Sequence, residues 1–165
     1  MVDLETKASG YLDTLTLYYE EEIMGEAYFQ GLADHFDGPG ERGKLRLLAE
    51  VERFAAEAVR PLLQKHGLSP RSDAELKPLG EEWVERHRRW AWRELVTDMS
   101  VRYPGYIDDF EKLERMAPEE DLPALKILTE HEVVAIEFAD REIAGDPDSV
   151  APLRRYLASS GTNER

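Results

Sequence analysis

Residues 18–32, YYEEEIMGEAYFQGL, decide how the rest of the chain is read. Leu12, Tyr19, Ile23, Glu26, Phe29, Ala33 and Phe36 recur at steps of three, four or seven, so they share one helical face with Glu26 inside the apolar stripe. Two later segments repeat the pattern. Leu45, Leu48, Glu52, Ala55, Val59 and Leu62 form one stripe; Leu125, Leu128, Glu132, Ala135, Ala139 and Ile143 form the other. Three glutamates aimed at one core are the feature of this sequence that carries chemistry.

The bulk composition limits what that chemistry can be. A chain of 165 residues makes one domain with a single substantial core. Its 35 acidic and 21 basic residues, a net charge of −14, argue against nucleic acid and against an anionic membrane surface. With no cysteine there is no disulfide, thiolate metal site or cysteine nucleophile. No apolar run approaches the roughly 20 residues that span a bilayer. Residues 1–7 show no secretory signal, so the expected location is cytoplasmic.

Breakers divide the chain into helices. Ser9 is placed to cap a first helix from about Tyr11 to Phe36, and the turn residues 37–40, DGPG, end it. A second helix runs from about Glu41 to His66, with a kink expected at Pro61. Residues 68–80 form a longer connection in which Ser72 and Glu75 have capping-box spacing. A third helix is expected from Glu81 to Tyr103, carrying Trp83, Trp90 and Trp92 and broken by Pro104 and Gly105. A short piece from Tyr106 to Met116 follows. The fourth helix starts near Leu122, with Pro123 suited to its first turn, and stops at Gly145. The reading is therefore all-α: one domain over 1–165 with a core bundle over 11–145, a C-terminal cap over 148–158 and a frayed tail over 159–165.

In an antiparallel hairpin Glu26 and Glu52, each thirteen positions from Pro39, meet at one height. Glu132 and Glu94 meet likewise in the second hairpin, and His87 and Glu94 share a face with Trp83 and Trp90. Buried carboxylates repel one another and resist desolvation. Each needs a metal ion, a cation, hydrogen-bond donors, a proton or a route to solvent. Oxygen donors clustered in a bundle suit iron or manganese. Without a metal, Arg53, Arg88, Arg89 and Arg93 are the available counter-charges.

On these residues the chain resembles the ferritin-like superfamily of carboxylate-bridged four-helix bundles, closest to its rubrerythrin-related branch. Gly25-Glu26 resembles the first-helix ligand of that family and the glycine before it. Glu52-Arg53-Phe54-Ala55 and Glu132-Val133-Val134-Ala135 fall where it carries Glu-x-x-His. The resemblance implies an antiparallel ferritin-like bundle with a short helix after the third long one and a C-terminal cap. It also implies candidate metal ligands Glu26, Glu52, Glu132, Glu94 and His87, and a homodimer as the family habit. Both histidine positions, 55 and 135, are alanine. Glu50 and His131 sit beside the expected positions, turned about a quarter of a circumference away. That loss favours a degenerate member acting as a binding or structural module without a metal cofactor, its central pocket holding a cationic small molecule or nothing. The alternative is an oxidoreductase using carboxylate-held iron or manganese.

Other residues have plainer readings. Glu20 to Glu22 form a charge run suited to solvent, although Glu22, one turn before Glu26, is placed to join the inner cluster. Tyr18 and Tyr19 suit core packing, and the tryptophans suit core or interface anchoring. His35 and His66 lie near helix C-termini, where a dipole role suffices. Gly25 and Gly31 cost helix stability and so point to close helix approach.

Overall fold

The computed structural model describes residues 4–159, so residues 160–165 of the expected frayed tail lie outside it. Among the described residues there are six α-helices, one 3₁₀ turn and no strand: α1 Leu4–Ala33, α2 Pro39–Lys65, α3 Asp73–His87, α4 Trp92–Met116, α5 Leu122–Ile143 and α6 Ala151–Ala158. No helix among them is long and apolar enough to cross a membrane.

Most boundaries follow local chemistry. Pro39 opens α2 with its fixed φ, and Glu41 and Lys65 complement the two ends of the helix dipole. Gly67 at φ +66° takes the left-handed turn past its C-terminus, and Gly145 at φ +73° does so after α5. Ser72 and Glu75 make both bonds of the capping box at the start of α3.

Three boundaries differ from the sequence reading. The first helix begins at Leu4, so position 9 lies inside α1 and not at its start. Pro104 and Gly105 do not break the third long helix. They lie on its exposed side, where freed backbone groups face solvent, while Leu95, Val96, Met99, Phe110 and Leu113 bury the other side. Pro61 also lies on an exposed side, inside α2 as the sequence reading had it. The break falls instead at 88–91, where no strong breaker stands. There Trp90 turns back to stack on His87 at 4.2 Å, and Trp92 packs on Phe36 and Phe138. The short helix α3 thus precedes the third long helix, where the sequence reading put a short helix after it.

Packing closes a ring: α1 lies on α2, α2 on α5, α5 on α4 and α4 on α1. α3 covers the outside of α1, and α6 covers α5 and α2. At the α1–α3 crossing a Cβ on Gly80 would meet the Met24 carbonyl oxygen at 2.1 Å, so only glycine permits that approach. α6 is held by buried Leu153 and by Tyr156, whose hydroxyl donates to the Ile127 carbonyl at 2.8 Å. At one end, fully buried Asp121 accepts from Tyr11 at 2.6 Å and pairs with Lys65 at 2.6 Å and His66 at 2.7 Å, tying α1, α2 and the start of α5 together.

The interior is two apolar cores separated by height. One contains Phe29, Leu32, Leu45, Leu48, Met99 and Phe138. The other contains Leu15, Tyr19, Val59, Leu62, Leu113 and Leu125. Along α2, α4 and α5 the change from one core to the other falls near mid-length, and along α1 it falls in the C-terminal half, between Met24 and Tyr28; a polar layer occupies that level.

Candidate functional site

The polar layer is a cluster of Glu22 from α1, Glu52 from α2, and His131 and Glu132 from α5. Their exposures are 4%, 8%, 0% and 6%. Nε2 of His131 lies 2.8 Å from Glu22 Oε2, 3.1 Å from Glu132 Oε1 and 3.4 Å from Glu52 Oε2. Its Nδ1 donates to the Leu128 carbonyl one turn earlier. That bond orients the ring and leaves Nε2 as the nitrogen facing the carboxylates. The three contacts are close but not aligned as hydrogen bonds: Nε2 of His131, Oε2 of Glu22 and Oε2 of Glu132 are buried without a directed partner. Native interiors rarely leave such atoms unmatched.

Charge in this layer is unbalanced. Burial raises the Glu22 pKa above its ordinary value, and the nearby Glu52 charge raises it further. Burial also raises that of Glu132. For Glu52 burial acts upward too, but contacts with Glu22 and His131 outweigh it and hold the group low. Burial alone would discharge His131; the fields of Glu22, Glu132 and Glu52 prevail and push its pKa well up. A carboxylate oxygen from each of Glu22 and Glu52 and a ring nitrogen of His131, all able to ligate a metal ion, lie within 4.8 Å of one another. Donors around one ion, each bonded at about 2.1 Å, occupy a sphere of that size.

The fourth side is open. Among the described residues α4 adds no carboxylate to the cluster itself, and between α4, α3 and α1 lies a cavity of about 320 Å³ lined by Glu22, Glu52 and Glu132. Tyr28, Trp83, Tyr103 and Phe110 supply much of its wall. Gly25 gives Glu52 its room: a Cβ there would stand 3.0 Å from the Glu52 carboxyl carbon and 3.1 Å from Oε2.

No known protein family, characterised protein or solved structure matches this chain.

Of the residues singled out in the sequence, Glu52 and Glu132 enter the cluster. Glu26 does not. It points to the other side of α1, where Arg53 grips it with Nε at 2.8 Å and Nη2 at 2.7 Å. The stripe misled because α1 is buried on several sides, by α2, α3 and α4, so apolar spacing does not single out the innermost face. Glu94 is exposed at the start of α4, its carboxylate 3.4 Å from the Ala91 amide; the break at 88–91 puts it at a helix end instead of mid-height. His87 lies on the cavity wall with Nδ1 bonded to the Tyr28 hydroxyl at 2.7 Å, outside the cluster. Of the other two members, the sequence reading places Glu22 to join the inner cluster without naming it a ligand, and it turns His131 away. His131 lies three residues after Leu128 and four before Ala135, and Glu22 three after Tyr19 and seven before Phe29. Both registers are apolar, and that was the available signal.

Proposed function

We propose that this chain is a metal-binding helical bundle of the ferritin-like kind, with Glu22, Glu52, His131 and Glu132 holding one divalent iron or manganese ion. The observation that carries the reading is the buried Nε2 of His131, directed by the Nδ1 bond to Leu128 at three buried carboxylates and lacking an aligned partner. Carboxylate oxygens with a single imidazole suit iron and manganese, and binding would release the protons that the metal-free cluster must hold. The ferritin-like arrangement is supported by two hairpins, α1–α2 and α4–α5, joined by a long connection and packed in a ring. The set differs from the family pattern in having one histidine, next to its glutamate, with donors for one ion and not two.

The cavity favours oxidoreductase chemistry over a purely structural ion, since it leaves one side of the centre open beneath Tyr103. An iron or manganese ion there would supply reactivity toward oxygen or peroxide. The chain itself would hold the ion, exclude bulk water with its two apolar cores and offer tyrosine hydroxyls at the open side.

The test is anaerobic titration with ferrous and manganous ions. Binding near one ion per chain is expected, with a raised melting temperature, and both effects should be lost in His131→Ala. Absence of tight binding to either ion, or unchanged binding in that variant, would overturn the proposal.

A further inference from the structure

The cavity above the cluster carries opposite charges at its two ends. Toward the N-terminal half of α1 its wall includes Glu21 on α1 and Asp109 on α4. The field of Asp109 reaches both Glu21 and Tyr18, and Tyr18 packs on Phe110 at 5.2 Å. Toward the other end it includes Arg86 on α3 and Arg102 on α4, beside the Tyr28–His87 pair. Seven residues separate Glu21 from Tyr28 on α1, and seven separate Arg102 from Asp109 on α4. The two ends therefore stand about 10 Å apart along the helices. Among the described contacts Glu21, Asp109 and Arg86 have no ion pair. Arg102 is fixed by Asp98, with Nε at 2.8 Å and Nη2 at 2.6 Å, leaving Nη1 uncommitted. Between the ends lie aromatic rings and the unpartnered buried oxygens of Glu22 and Glu132.

Glu21 beside Asp109 is a like-charge pair without a counter-charge, costly unless a ligand supplies one; at the other end Arg86 stands without an ion pair and Arg102 carries Asp98. A polyanion would be repelled by Glu21 and Asp109, and a polycation by the arginines. An aromatic wall suits an apolar body between the charged ends.

We propose that this cavity binds an elongated zwitterion of the ω-aminocarboxylate class, its carboxylate between Arg86 and Arg102, its ammonium between Glu21 and Asp109, and its apolar body against the aromatic wall. The inference rests on the charges of the two ends and does not require the ion proposed above.

The probe is ε-aminocaproate, compared with caproate and hexylamine, which keep one charge each. Trp83 on the cavity wall gives a fluorescence signal, and calorimetry gives the affinity, with and without manganese. ε-Aminocaproate should bind about twofold to fivefold more tightly than either analogue, the margin expected when one charge pair is lost at a partly exposed end. Arg86→Gln should erase the advantage over hexylamine, and Asp109→Asn the advantage over caproate. Both residues are exposed, and circular dichroism of each variant checks that the fold is kept. Equal binding of all three molecules, no binding of ε-aminocaproate, or intact preferences in folded variants would overturn the inference. Manganese affinity measured on the same variants separates the two ideas: its loss in His131→Ala and retention in Arg86→Gln belong to the ion alone.

Discussion

Glu22→Gln should change stability in opposite directions with and without metal. Glu22 has its pKa raised above the ordinary 4.5, by burial first and then by Glu52. A carboxyl group with a higher pKa in the folded than in the unfolded chain binds more protons when folded. Stability then falls as pH rises from the unfolded value toward the folded one. At pH 7 the cost is bounded by the interval above 4.5, about 3–4 kcal/mol at 1.4 kcal/mol per unit. Glutamine mimics the neutral form without that cost. Metal-free Glu22→Gln should therefore be more stable than the parent by about 1–3 kcal/mol, or roughly 3–10 °C in melting temperature for a chain of this size. With metal the sign reverses. An ion present at about a hundred times its dissociation constant stabilises the parent by about 2.7 kcal/mol, and a variant lacking one carboxylate ligand forfeits most of that. The assay is thermal unfolding by circular dichroism at pH 7, after chelator treatment and again with excess manganese. A variant less stable than the parent by the same amount in both conditions would refute the reasoning, because it would make Glu22 an ordinary packed residue.

Gly25→Ala should crowd the Glu52 carboxylate and weaken metal binding about tenfold to a hundredfold, the usual effect of disturbing how a ligand is held, with the helical spectrum unchanged. Gly80→Ala should separate α3 from α1 and cost at least about 2 kcal/mol in denaturant unfolding, since the obstacle is backbone and cannot rotate away. Asp121→Asn should cost about 2–3 kcal/mol at neutral pH. Burial opposes ionisation of Asp121, but Lys65, Tyr11 and His66 outweigh it and hold the carboxyl below its ordinary 3.8. Its contribution is complete above 3.8 and is lost as pH falls through the lower folded value, so the parent and variant stability curves should converge only in acid.

Much of the architecture was legible because it follows from short-range chemistry. The turn residues at 37–40, the capping box at Ser72 and Glu75, and Pro123 with Gly145 bracketing α5 each act within a few residues, so they read the same before and after folding. The glutamate-bearing stripes of α2 and α5 put Glu52 and Glu132 inside for the same reason. The break at 88–91 was not legible, because it is made by Trp90 and Trp92 finding partners on His87, Phe36 and Phe138, some of them distant in the chain. The choice between Glu22 and Glu26 was also tertiary. Both lie in apolar registers of α1, and only the placement of α2, α3 and α4 around that helix turns Glu22 to the centre and gives Glu26 to Arg53. His131 repeats the lesson, for α5 is buried over an arc wide enough to admit both it and Glu132. By itself the sequence determined that acidic side chains would meet in the middle of a helical bundle. Which ones meet, with a histidine among them, depends on how the helices pack, because periodicity counts buried faces without telling which neighbour each one meets.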